Sequence, residues 1–408
     1  MGYKDSVFKG VGWISAFKIL SRLASFLKIA VIARILTPAQ FGIFGIASLV
    51  LVFLEILTET GINVILVQTN KDIKDYLNSA WVVSIIRGIL LSLLIIGISP
   101  LAVCFFKAPQ AFTVILLIAL VPLIRGFINP AVVKFQKELK FKYEFIFRSS
   151  VFLFDAFFTA VFVVLTHSVY GLIFGLLAGA LLEVILSFVF VKPIPKLAIN
   201  REYISQIFHK GKWVTAFGIL GYFGDQGDNI VVGKILGTSS LGIYQMIFKI
   251  SILPLSEISD AISRVVFPVY VKIEDDKKRL KKAFLKTTFL VSIATFILGL
   301  IIFLFPGEII LILLGDKWLS GTEVLRVLSL YGIIRGVNGS VTALFLAVKK
   351  QSYVTAMSLI RVLVLGLTIF PLVIMFGIIG AAYAALLSVI SEVPIVIYYL
   401  YMVFRSKK

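Results

Sequence analysis

WISAFKILSRLASFLKIAVIARILTPAQFGIF, residues 13–44, returns as WVTAFGILGYFGDQGDNIVVGKILGTSSLGIY at residues 213–244. With no gap between the copies, Trp13, Ala16, Phe17, Ile19, Leu20, Val31, Ile35, Leu36, Gly42 and Ile43 recur as Trp213, Ala216, Phe217, Ile219, Leu220, Val231, Ile235, Leu236, Gly242 and Ile243. Conservative echoes join them, among them Arg34 with Lys234 and Phe44 with Tyr244. Trp is rare, so a register that repeats it together with the Leu-x5-Gly-Ile spacing marks an internal duplication.

Each copy begins as a long apolar helix, and the rest of the chain has the same character. Its 408 residues are 60% hydrophobic and only 15% charged, with a mean hydropathy of +1.04, which no single soluble core accommodates. A helix needs ~20 mostly apolar residues to cross the hydrocarbon. Runs of that kind occur at 10–36, 40–66, 78–104, 111–133, 144–167, 169–191, 212–236, 240–267, 283–305, 322–347, 353–376 and 378–403. The short alternating segments of a β-barrel are not the pattern. The fold class read from these runs is all-α: a polytopic membrane protein of twelve transmembrane helices, in two pseudo-symmetric six-helix lobes around a central cavity.

Charge supports that count. One set of connections carries Lys4 and Lys9, Lys71 and Lys74, Lys134 to Lys142, Lys192 to Lys212, Lys272 to Lys286, Lys349 and Lys350, and Arg405 to Lys408. The alternate set has only Lys107 and Lys317. By the positive-inside rule the rich set is cytoplasmic, with both termini on that side. Met1 to Lys9 leads straight into the first span without a small-residue cleavage site, so no removable signal is expected. The longest basic connector contains Pro193 and Pro195 and separates the copies. The expected domains are therefore an N-terminal lobe 1–192, a cytoplasmic linker 193–211 and a C-terminal lobe 212–408. An even number of spans per copy makes the repeats parallel, and in such transporters the site lies between the lobes near the midplane.

Several function classes drop out. The net charge of +19 resides in alternate loops and within apolar spans, so there is no basic soluble domain for nucleic acid. Cys104 is a lone cysteine, and His167 and His209 make no metal-binding spacing. No GxGxxG after a strand and no GxxxxGK[ST] points to a built-in nucleotide engine. Gly171, Gly175 and Gly179 form a doubled GxxxG that suits close helix packing. Gly218, Gly221, Gly224 and Gly227 give the seventh span an expected capacity to bend.

Charges at bilayer depth cost ~2.5–3.5 kcal/mol each on insertion scales, so they face water or a partner. On the first span Lys18, Ser21, Arg22, Ser25 and Lys28 fall within one arc of roughly 120° at 100° per residue. Between Lys18 and Arg34 that helix has no acid. Further cations that can line an anion-accepting cavity are Arg125, Lys249, Arg335 and Arg361. Guanidinium groups fork onto phosphate oxygens, so a phosphate or diphosphate head group suits such a cavity. The competing reading pairs these cations with intramembrane acids, including Glu55, Glu59, Asp155, Glu183, Asp225 and Glu392. Glu323 and Arg326, three apart, are expected to pair locally.

In the second copy Ser25 becomes Asp225 and Lys28 becomes Asp228, followed by Asn229. These three share a helix face and form the candidate coupling or gate site. A carboxylate there can take a proton or Na⁺ as the coupling ion, or bridge to the basic first helix. No other cofactor is expected.

The segment Ala33-Arg-Ile-Leu-Thr-Pro-Ala-Gln-Phe-Gly-Ile-Phe44, with its echo Asp228 to Tyr244, resembles the polysaccharide flippases of the multidrug/oligosaccharidyl-lipid/polysaccharide exporter superfamily. The resemblance spans essentially the whole chain. It implies a transporter that moves an undecaprenyl-diphosphate-linked oligosaccharide from the cytoplasmic to the outer leaflet by alternating access. The implied location is a bacterial or archaeal plasma membrane, and the implied partners are membrane lipids, a polysaccharide polymerase and glycosyltransferases. Lipid-II flippases of the same superfamily usually carry two additional helices, and the twelve spans read here place that alternative second. An ion-coupled multidrug antiporter would have acids dominating its cavity. A membrane glycosyltransferase or ligase would carry an acidic site on a sizeable outer loop, whereas Pro306 to Gly321 holds only Glu308, Asp316 and Lys317. The loop Lys272 to Lys286 is expected to lie against anionic lipid heads, or to receive a cytoplasmic glycosyltransferase.

Overall fold

A computed structural model describes residues 3–59, 73–138, 140–198 and 200–405. Among them every regular element is a helix, and the chain is a multi-pass membrane protein. Eight helices are long and apolar enough to cross a membrane, or nine when one sharply bent pair is taken as a single span. In chain order the helices of the described residues begin α1 (Tyr3–Ile35), α2 (Pro38–Leu57), α3 (Ile73–Phe106), α4 (Ala111–Ile118), α5 (Leu120–Arg125) and α6 (Lys134–Lys137). They continue α7 (Phe141–Thr166), α8 (Tyr170–Phe190), α9 (Arg201–Lys272), α10 (Lys277–Leu304), α11 (Pro306–Leu313), α12 (Thr322–Ala347), α13 (Gln351–Ile390) and α14 (Glu392–Arg405).

This count is lower than the twelve runs of the sequence in part because α9 and α13 each contain two helices. The expected spans 212–236 and 240–267 both fall within α9, where Gly237 with φ 81° and ψ −174° is non-helical and separates two helices across a kink. The boundary between 353–376 and 378–403 is likewise a glycine inside α13, Gly377 with φ 61°. The expected span 111–133 is broken instead: Ala111–Arg125 and Pro130–Lys137 meet at 71°. Asn129 makes that corner, its side chain accepting from Ala131 N–H at 3.0 Å while its amide donates to Pro193 O at 3.2 Å. The glycines at 218, 221, 224 and 227 do not break α9, and a Cβ on Gly224 would meet Val362 at 2.8 Å, a packing role.

Matching positions of the two copies interrupt the helix by different means. After α1, Thr37 caps α2: its hydroxyl accepts from Gln40 N–H and the Gln40 side chain accepts from Thr37 N–H, with Pro38 in the first turn. In the second copy Gly237 occupies the place of Thr37, and its non-helical backbone divides α9 there into two helices.

By packing, the chain divides into two compact units, Met1–Tyr222 and Phe223–Lys408. In the first, α8 lies along α7, and α7 lies along α1. The doubled GxxxG lets α8 approach α7: a Cβ on Gly171 would stand 2.7 Å from Val163, one on Gly175 2.0 Å from Thr159 Oγ1, and one on Gly179 2.9 Å from Asp155. In the second unit α10, α12 and α13 pack around Tyr270, Phe284, Leu344, Phe345 and Met357. Outward faces stay apolar, as Leu93, Leu101, Leu363, Leu367 and Ile374 show, which suits lipid rather than water. Outside the spans Lys349 donates to Glu274 at 2.9 Å, and that bond holds its ammonium above the ordinary lysine range.

Replacing Gly175 with valine overpacks the α7–α8 contact and is expected to cost about 1–3 kcal/mol. Replacing Gly97 with alanine meets nothing within 4 Å and leaves stability unchanged. Thermal unfolding of the detergent-solubilised variants checks the contrast; equal midpoints would show that small residues do not set this approach.

Candidate functional site

The second unit concentrates charge inside its helices. Arg361 on α13 is buried, and its guanidinium faces two acids: Asp225 on α9 at 3.5 Å and Glu392 at the start of α14, also at 3.5 Å. Glu392 is the hub, with only 1% of its surface exposed. Its second oxygen accepts from Asn338 Nδ2 at 2.5 Å, and Arg335 stands 4.0 Å away. Two guanidinium groups and two carboxylates thus share one cluster, formally neutral overall.

A second buried group sits one turn along α9 from Asp225. Asp228 accepts from the Tyr244 hydroxyl at 2.8 Å and from the Asn229 backbone N–H at 2.7 Å. The Asn229 amide donates to Gln226 at 3.1 Å, and its own oxygen is buried with no partner. Tyr244, Phe248 and Tyr331 follow in tilted ring contacts, with centroids 5.8 Å apart at each step. Next to the ion cluster lies a cavity of about 560 Å³, bounded by α9, α12, α13 and Glu392. Ser256, Ser259, Ser263, Arg335, Asn338 and Thr342 supply its polar wall.

In the first unit Lys28, Arg87 and Arg125 have acidic partners. Lys28 on α1 reaches Asp155 on α7 at 2.7 Å, beside the Gly179 contact. Arg125 at the end of α5 reaches Glu183 on α8 at 3.3 Å. Arg87 on α3 donates to Glu59 at 3.3 Å and to the Glu55 carbonyl at 2.8 Å, where α2 ends. Arg125 borders two smaller cavities: one of about 230 Å³ that Glu55, Glu59 and Arg87 also line, and one of about 190 Å³ with Asp155, Arg148 and Glu183.

Of the residues singled out from sequence, the structure brings Arg335, Arg361 and Asp225 into one cluster. It places Asp228 and Asn229 beside that cluster in a hydrogen-bonded group of their own. Lys28 and Arg125 are held by acids within the first unit, and Lys249 is exposed on α9. Lys18 and Arg22 stand on α1, with side chains outside the described ones. Glu323 and Arg326 form their local pair at 2.6 Å. Sequence reasoning passed over Asn338 and the three serines. The serines stand at i, i+3 and i+7 on one helix face, a visible pattern in the span 240–267.

Comparison with known proteins follows from this geometry. The model of the family described as "Polysaccharide biosynthesis protein" matches residues 31–323. A membrane protein in the cps region of Klebsiella pneumoniae is 28% identical over 388 residues, 94% of this chain and 79% of that protein. Lipopolysaccharide biosynthesis protein WzxC of Escherichia coli K12 is 23% identical over 85% of this chain and 71% of its own length. Teichuronic acid biosynthesis protein TuaB of Bacillus subtilis 168 is 23% identical over 82% and 70%. Among solved structures, the lipid II flippase MurJ in an inward closed conformation superposes with a TM-score of 0.77 at 16% identity, over 95% of this chain and 87% of that one. An inward-facing multidrug resistance MATE transporter of the MOP superfamily gives 0.71 at 13%, over 95% and 96%. At such identities these two establish the fold.

Removing one partner from a buried ion cluster strands the other charges, so Arg361→Ala is expected to lose about 3–5 kcal/mol. Arg361→Met combined with Glu392→Gln should recover much of that. Unfolding midpoints in detergent test both, and an Arg361→Ala protein as stable as the parent would show that the guanidinium does not hold α9, α13 and α14 together.

Proposed function

The chain belongs to the polysaccharide biosynthesis protein family, and on that premise we propose that it is a flippase, carrying an undecaprenyl-diphosphate-linked oligosaccharide from the cytoplasmic to the outer leaflet by alternating access. A single observation carries the reading: a membrane protein of this family has, among its spanning helices, a partly open cavity of about 560 Å³ with Arg335, Asn338 and Glu392 on its wall. Anchoring alone needs no such space. The names of WzxC and TuaB, which refer to lipopolysaccharide and teichuronic acid biosynthesis, support a glycan as the cargo.

The physical problem such a protein solves is one of solvation. A sugar head with a diphosphate would lose most of its hydrogen bonds in hydrocarbon, and each unsatisfied polar group there costs several kcal/mol. A polar path through the bundle replaces that lost water while the polyprenyl tail remains in lipid. Lys18 and Arg22 belong to the first helix, which has no acid between Lys18 and Arg34, and they are the proposed diphosphate ligands, with Lys28, Arg125, Lys249, Arg335 and Arg361 contributing positive potential. Asp225, Asp228 and Asn229 are the proposed gate, and a proton or Na⁺ bound there is the proposed coupling ion. The alternation of basic loops supports cytoplasmic termini in a plasma membrane. A polysaccharide polymerase and glycosyltransferases are the proposed partners before and after translocation.

Deleting the gene should cause lipid-linked repeat units to accumulate on the cytoplasmic face, measured by extraction and mass analysis. No accumulation, with surface glycan unchanged, would reject the flippase reading. Lys18→Ala and Arg22→Ala should each reduce export in complementation at normal membrane levels, and Arg22→Lys should retain more export than Arg22→Ala. Normal export in both alanine variants would remove these two residues from the site.

A further inference from the structure

From sequence alone, Lys272 to Lys286 is expected to meet lipid heads or a glycosyltransferase, and the facing of α10 decides between them. Leu280, Phe284 and Val291 are buried and turn one side of that helix into the second unit. At about 100° per residue the opposite side is an arc of roughly 120° that holds Leu285, Phe289, Ile293, Phe296 and Leu300, all exposed. Lys278, Arg279, Lys282 and Lys286 fall within the same arc and are exposed as well. These cations therefore do not flank the apolar strip; they continue it past its end.

The level at which charge takes over from hydrocarbon is marked on neighbouring helices too. Within α10 there is no acid at all and no charge from Thr287 to Leu304, so the stretch fit for hydrocarbon ends near Lys286. The ring of Phe404 stands 5.9 Å from that of Phe284, which puts the last turn of α14 beside the second turn of α10. There Tyr398 and Tyr401 are exposed, and the Arg405 guanidinium lies 5.1 Å from the centre of the Tyr401 ring. At the start of α13, Lys350 stands over Tyr353 at 5.9 Å, and Tyr353 packs on the same core as Phe284 and Phe404. Tyrosine with a cation at the end of an apolar helix is the pattern of the head-group layer.

The acids just before α10 are turned to other tasks. Glu274 accepts from Lys349 at 2.9 Å, and Asp276 caps the helix by accepting from Arg279 N–H at 3.0 Å. A lysine stem can lie along apolar surface while its ammonium reaches the phosphate level. A protein seated on these four side chains would also meet the apolar strip that continues from them into hydrocarbon. A lipid fits both parts, its acyl chains on Leu285, Phe289 and Phe296 and its phosphate among the cations. A zwitterionic head would bring an ammonium of its own against them, whereas an anionic head brings none.

We propose that Lys278, Arg279, Lys282 and Lys286 form a binding site for the head group of an anionic phospholipid of the surrounding bilayer, with the exposed apolar strip of α10 as the bed for its chains. The lipid is a standing ligand and not cargo, so the site holds whatever the protein carries.

Purified full-length protein in detergent is titrated with phosphatidylglycerol and, separately, with phosphatidylcholine of the same acyl chains, and bound lipid is counted by native mass spectrometry. Phosphatidylglycerol should bind the parent more tightly, and inorganic phosphate at equal concentration should not displace it. The variant Lys278→Gln/Lys282→Gln/Lys286→Gln should weaken the tightest phosphatidylglycerol by about fivefold for each lysine removed, while phosphatidylcholine binding and the unfolding midpoint stay as in the parent. Arginine at the same three positions should keep the lipid. Lys137→Gln/Lys140→Gln/Lys142→Gln removes equal charge from the first unit and should also leave the tightest lipid in place. Should the glutamine triple misfold, Lys282→Gln alone replaces it, with a single fivefold loss expected. Four outcomes overturn the proposal: the parent binds both lipids equally, the free phosphate displaces the lipid, the first-unit variant loses as much as the α10 variant, or the α10 variant binds phosphatidylglycerol as the parent does, which would leave this face to a protein partner.

Discussion

The hydrocarbon's intolerance of an isolated charge governs much of this molecule. Arg361 illustrates it. A buried guanidinium can persist on a spanning helix only where acids converge on it, and Asp225 and Glu392 come from two different helices to do so. Their approach fixes where α9, α13 and the start of α14 lie relative to one another within the second unit. In the first unit Lys28 with Asp155, and Arg125 with Glu183, tie α1 to α7 and α5 to α8 in the same way. Between helices that are otherwise greasy, with Leu and Ile on every side, the ion pairs are the contacts that cannot slide by a turn without leaving a charge bare.

The fold was largely legible because its signals are local. Apolar runs of about the right length and the alternation of basic loops need no knowledge of contacts. Helix breaks were legible where a residue enforces them, as Thr37 and Pro38 do. The corner after Arg125 was not, because the run from 111 to 133 is apolar throughout and the bend depends on Asn129 bonding to residues more than sixty positions away. Gly237 was readable as a boundary, and its non-helical backbone separates two helices there.

The site was legible in part, and the division is physical. Cations in apolar sequence are conspicuous, so Lys28, Arg125, Arg335 and Arg361 could be picked out one by one. What each of them faces could not, since Lys28 and Asp155 are 127 positions apart and helix facing is unknown until contacts exist. Hydroxyl residues escaped notice for the opposite reason. Serine is cheap to place in a membrane helix, because it can return its proton to a backbone carbonyl.

Gly237 carries one more consequence. Its φ of 81° lies where L-residues are disfavoured, yet nothing stands within 4 Å of the position a Cβ would take. Gly175 rejects a side chain because there is no room for one; Gly237 has ample room and rejects one on stereochemistry alone. Position 237 thus selects for handedness and not for size: a D-residue of almost any bulk would sit there at ease, and natural L-residues leave glycine as the one comfortable occupant.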